Sequence, residues 1–284
     1  MNISLDSALG RQRRLNQVGE TINSIATPAA AYSLRSLTGG DPLAVRVRRD
    51  TGGGAGDDDE QDFTVSEINS GALVAFVGSG NNGFVETWYD QSGNDNHVTN
   101  TNTGNQPKIV SSGSLLTQGS KACINFDGTD DFLNRATYTQ GALSQPNTAF
   151  AVAKLDVYTD SNKKIFDGDV ATARNMLNLN PAGNGQFSIF AGTVRTTGED
   201  ADADRHLLTA LYNGASSILR IDTTQKILNN AGTNTMNGIV IGANHDTAQN
   251  FWDGDIQEII ICDSNQTSNF TALEGNINSY YSIF

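Results

Sequence analysis

Apolar and polar side chains alternate in short runs along most of this chain. In residues 43–48, Leu43, Val45 and Val47 interleave with Arg46 and Arg48, the period of two expected of a strand with one buried face. Residues 32–37 alternate in the same way. Further strand-like runs at 148–157, 164–166, 176–179, 186–191, 206–212, 217–222, 238–241 and 255–262 are bounded by Gly, Asn and Asp. The Gly- and Asp-rich stretch 51–62 reads as a loop. Many short strands without interleaved helices predict an all-β chain, two antiparallel sheets stacked as a jelly-roll sandwich.

Helical spacing is confined to the two ends. Leu15, Val18, Ile22 and Ile25 follow one face of a helix, and Thr27-Pro28 stops it. Arg11, Arg13 and Arg14 make this segment basic on an otherwise acidic chain, which suits an attachment arm over residues 1–27. The other reading is a helix folded onto its own domain. Near the C-terminus, Phe270, Leu273, Ile277, Tyr280 and Tyr281 repeat at helical spacing behind Ser268, predicting a helix packed on the sandwich of residues 28–284.

Composition narrows the function. Twenty-nine glycines against five prolines suit many tight turns. A net charge of −13 argues against nucleic acid, whose phosphates need a basic surface, and disfavours anionic membranes. The start of the chain, Met1-Asn2-Ile3-Ser4-Leu5-Asp6, lacks the apolar run of a signal peptide. The two cysteines, Cys123 and Cys262, sit in apolar runs and read as buried thiols, with a disulfide possible only between neighbouring strands.

The most specific stretch is Trp88-Tyr89-Asp90-Gln91-Ser92-Gly93-Asn94, a strand that breaks into a turn. Asp90, Ser92 and Asn94 are side chains that bond back to local backbone, so a structural role is expected of them. Gln106-Pro107-Lys108-Ile109 follows, and Phe126-Asp127-Gly128 repeats the strand-then-turn order. This arrangement resembles the catalytic sandwich of fungal family-54 α-L-arabinofuranosidases. It is also similar to the laminin-G and concanavalin A-like lectin domains that recur in bacteriophage virion proteins. The resemblance spans residues 32–284 and implies a concanavalin A-like sandwich.

It also implies where catalytic acids would stand. The arabinofuranosidase acid follows an Ile-Gly-Gly run, and the matching run here is Ile241-Gly242-Ala243-Asn244, with an amide in that place and Asp246 displaced. The nucleophilic Glu falls on the strand matched to Gln186-Phe187-Ser188-Ile189-Phe190, which carries no carboxylate, and the adjacent cysteine pair is absent. On this alignment no catalytic residue is expected, and the chain is expected not to be an enzyme.

Other chemistry is sparse. Asp127, Asp130 and Asp131 cluster on one turn and could offer oxygens to calcium, as could Asp57, Asp58, Asp59 and Glu60, although Asp in such loops more often serves the turn itself. No other cofactor is expected. His97, His206 and His245 lack zinc-ligand spacing. Trp252, flanked by Asn250 and Asp253, is the candidate for stacking on a sugar, against the alternative of a core anchor. These readings lead to a non-catalytic virion protein, either capsid decoration, head fibre or tail component. Its partners would be other virion proteins reached through the arm, and it would form a homo-oligomer such as a trimer. The alternative is a module that binds host glycans or, less favoured, a glycoside hydrolase.

Overall fold

A computed structural model describes residues 20–52, 58–156, 162–180 and 185–284. The expected all-β sandwich is what the chain forms. One sheet is built around the long strand Asp253–Cys262, which pairs antiparallel with Asn147–Leu155 on one side. Its other side is shared by Pro28–Ser33 along one half and Ile124–Asp127 along the other. The sheet continues outward from Asn147–Leu155 through Arg205–Tyr212, Ser217–Ile221 and Thr224–Asn229.

The facing sheet starts with Glu60–Thr64, Leu43–Asp50 and Asn82–Trp88. It runs on through Val98–Thr99, Leu133–Arg135, Ile239–Ile241, Lys163–Asp167, Met176–Asn180, Gln186–Phe190 and Val194–Thr196. Lys108–Ser111 bonds to strands of both sheets and ties one end of the sandwich together.

The period-two pattern explains the layering. In Asn147–Leu155, Ala149, Ala151, Ala153 and Leu155 face the core between the sheets, packing with Ile256, Ile259 and Ile261. Phe150 and Val152 point the other way into a second apolar layer with Leu207, Leu211, Ile260 and Cys262. The helix Phe270–Tyr281 covers that layer with Phe270, Leu273, Ile277 and Tyr281. Both faces of this sheet are therefore buried, one by the partner sheet and one by a helix.

Several local expectations need correction. The first strand is Pro28–Ser33, not residues 32–37. The stretch expected to be loop ends in the strand Glu60–Thr64. Helices are not confined to the ends: Val65–Ser70 and Ala72–Val77 form a small pair. Thr64 and Glu67 cap the first of these reciprocally, and Gly71, at φ 86°, ends it and starts the second. Of the arm residues, Ile22 and Ile25 belong to the short helix Ile22–Ile25 and pack in the layer under the C-terminal helix, while Leu15 and Val18 lie outside the described residues.

Candidate functional site

The turn after Trp88 is a structural clamp. Asp90 Oδ1 accepts from the backbone N–H groups of Ala31 (2.8 Å) and Ser92 (2.9 Å), and Oδ2 accepts from Ser92 Oγ and the Asn96 N–H. Asn94 Nδ2 donates to the carbonyls of Pro28 and Ala29. Every one of these bonds joins the turn to itself or to the first strand. Trp88 is fully buried, whereas Tyr89 points to the opposite face, donates to Asp62 and meets His97 edge-on.

Trp252 cannot stack on a sugar, which corrects that expectation. It has no exposed surface and belongs to the core between the sheets. Asn250 lends its carbonyl to the Lys164 N–H, and Asp253 lies 3.4 Å from Lys163 Nζ. All three therefore brace the strands around them. Asp127, Asp130 and Asp131 do converge, with one carboxylate oxygen from each within 4.8 Å of the others. Burial and the neighbouring Asp127 push Asp131 up to about 7. Part of this grouping is turn chemistry: Asp127 Oδ1 accepts from Thr129 N, and Asp131 Oδ2 accepts from Asp127 N. In the other acidic group, Asp58, Asp59 and Glu60 are engaged by Arg48, Arg49 and Arg46, and Asp57 lies outside the described residues.

A dense group of polar side chains lies along the strand Lys163–Asp167 and the segments beside it. Lys164 stands directly opposite Asn178 in the antiparallel pair, so both side chains share a face. Phe166 pairs with Ile241 and Asp167 with Val240, so the chain leaving that strand runs back along Lys163–Asp167, where the Gly242 N–H donates to the Ile165 carbonyl. Gly242 makes the exit possible. Its φ is 86°, and a Cβ there would run into the Phe126 ring. Asn244 and His245 then follow, and the His245 N–H donates to Asp167 Oδ2 at 3.2 Å. Arg174 Nη1 donates to the same oxygen (3.1 Å) and contacts His245 Nδ1 at 2.6 Å. With an arginine donating to it, Nδ1 acts as acceptor, and burial together with Arg174 lowers the His245 pKa.

Asp167 has no exposed surface, and Lys164, Asn178 and Asn244 are 4% exposed or less. Burial pushes the Asp167 carboxyl up to about 7 against the pull of Arg174 and Lys164. Burial also brings the Lys164 amine down to about 8. Asp167 Oδ1, Asn178 Oδ1, Asn244 Oδ1 and Arg174 Nε are all buried and have no hydrogen-bond partner within the protein. Such atoms are costly unless water or a ligand completes them. Asp169, two residues beyond Asp167, is half-buried, is raised by that burial and accepts from Asn134 Nδ2 at 3.3 Å.

Of these residues the sequence marked only Asn244, as the amide in the place of the family's acid, and not Asp167, Lys164, Asn178 or Arg174. One signal was available: Lys163-Lys164-Ile165-Phe166-Asp167 sets charged residues at both ends of an apolar strand core.

A second polar grouping sits on the other sheet. His206 is held between Asp222 (Nδ1 to Oδ2, 2.6 Å) and Asp202 (Nε2 to Oδ1, 2.8 Å). Burial opposes its charge, but the two carboxylates prevail and raise it to about 9. A shallow cavity of about 250 Å³, lined by Phe187, Glu199, Lys226 and this trio, opens beside it.

No protein-family model matches the chain. No curated protein matches it. Among solved structures it is similar to a GH54 α-L-arabinofuranosidase soaked with a cyclic sulfate inhibitor. The two share 14% identity at a TM-score of 0.69 over 88% of this chain and 62% of that one. It is similar also to an arabinofuranosidase complexed with arabinofuranosyl-α-1,2-xylobiose, with 14% identity and a TM-score of 0.63 over 90% of this chain and 64% of that one. The chain thus spans 62% to 64% of those proteins' lengths. These likenesses correct the expectation that the chain is not an enzyme. The architecture it shares is that of solved glycosidases.

Proposed function

We propose that this chain is a carbohydrate-active sandwich that holds a sugar at the Asp167–Asn244 end and cleaves its glycosidic bond. The observation that carries the reading is the set of buried, unpartnered polar atoms on Asp167, Asn178, Asn244 and Arg174. A sugar ring presents hydroxyls that both donate and accept, which is the complement of three acceptors and one donor. The similarity in fold to arabinofuranosidases makes a pentofuranoside the first substrate class to assay.

In this reading Asp167 is the proton carrier. A carboxyl titrating at about 7 is part protonated and part ionised near neutrality, the condition for general acid–base work. Glycoside hydrolysis needs a second carboxylate, and Asp169 supplies it from the same turn. Arg174 and His245 close over Asp167, so the Arg174–His245 contact has to open for a sugar to reach the carboxyl.

The test is release of nitrophenol from 4-nitrophenyl α-L-arabinofuranoside and related glycosides by the full chain. Calorimetric titration with arabinose-containing oligosaccharides runs beside it. Release by the wild type that is lost in a folded Asp167→Asn variant is expected. Neither release nor binding across pentofuranosides and hexosides would overturn the reading.

A further inference from the structure

We propose that Lys164 and Asn162 join through an intramolecular isopeptide bond, formed by the folded chain itself with loss of ammonia. Lys164 Nζ lies 2.8 Å from Asn162 Oδ1, so the amine is already at the amide it would attack. Asn178 Nδ2 donates to the same oxygen at 3.2 Å. That second donor polarises the Asn162 carbonyl and stands where negative charge develops on Oδ1 during addition. Lys164 is 3% exposed, within a strand paired on both sides. Water competes poorly there with an intramolecular nucleophile, and holding two groups in contact replaces most of the entropy of a bimolecular encounter.

The step balances within the protein. The Lys164 nitrogen lone pair adds to Asn162 Cγ, forming the C–N bond and placing the carbonyl electrons on Oδ1. The proton shed by Nζ passes to the departing Nδ2 on the same tetrahedral carbon. The carbonyl re-forms, the Cγ–Nδ2 bond breaks, and ammonia leaves with no oxidant or other reactant consumed. Burial assists, because it brings the Lys164 amine down to about 8, so that a usable fraction is the uncharged nucleophile. The product is a neutral amide where a buried ammonium stood, tying the start of this strand to its own interior. It leaves Asp167 paired with Arg174.

The inference stands independently of the glycan reading, because its readout is mass. The intact full-length chain, purified and denatured, is expected to weigh one ammonia less than its sequence. Trypsin should cut after Lys163 but not after Lys164, leaving a branched product in which fragmentation places the link between residues 162 and 164. Lys164→Met and Asn162→Ala chains should each weigh what their sequences dictate. A wild-type mass equal to the sequence overturns the proposal. So does an ammonia loss that persists in Lys164→Met, which would instead mark a succinimide at an Asn–Gly step.

Discussion

Asp90 accepts four hydrogen bonds, one from the backbone N–H of Ala31 on the distant first strand and three from Ser92 and Asn96 in its own turn. Asp90→Ala strands the buried donors of Ala31 and Asn96, each worth about 1–3 kcal/mol when left unpaired. A calorimetric scan should therefore show a loss of roughly 2 kcal/mol or more, and an unchanged melting temperature would refute the clamp. His206 gives a different readout. Its folded pKa, about 9, lies above the ordinary 6.5, so the stability it contributes is complete below about pH 6.5 and lost as pH rises through about 9. The urea midpoint should fall across that window in the wild type. The fall should be smaller in His206→Gln, and an identical pH profile for the two proteins would dismiss the trio as a stabilising device.

At the scale of elements, the C-terminal helix shows packing overriding weak local signals. Its first turn carries no acidic residue and its N-cap makes no side-chain bond, so its place depends on what it covers. Leu273, fully buried, packs in the layer with Phe150 and Ile260, while Glu274 accepts from Nε and Nη2 of Arg220 at 2.8 and 3.0 Å. Leu273→Ala should cost about 2–5 kcal/mol through lost contact and a residual cavity. Chemical denaturation would measure it, and a cost near zero would mean that the helix is peripheral. The spacing of Phe270, Leu273, Ile277 and Tyr281 made this helix legible from the sequence. The helix Val65–Ser70 was equally signalled, by Thr64 and Glu67 three apart. Its Val-Ser-Glu-Ile-Asn-Ser core, however, is too short to show a period, and the adjoining glycine-rich stretch masked it.

For the whole molecule, the alternation in Leu43–Asp50 and the later runs pointed to the sandwich, with Val45 and Val47 buried as their spacing predicts, although Leu43 is exposed and Arg48 is buried against that pattern. A period of two gives a strand one face to bury, and side-chain direction along a strand is a local property. The helical stripe at the C-terminus and the turn chemistry of Asp90, Ser92 and Asn94 were local in the same sense. Only the tertiary structure decided which of the polar residues meet. Lys164 faces Asn178 because two strands pair in one register, and Asp167 meets His245 because Ile239–Ile241 pairs alongside it and the loop after Gly242 returns the His245 N–H to its carboxylate. It also decided that Trp252, polar-flanked in sequence, is core, since burial depends on what the opposite sheet brings over it. A candidate site made by long-range pairing leaves almost no trace in a local pattern, because each of its residues, taken alone, is an ordinary strand or turn residue.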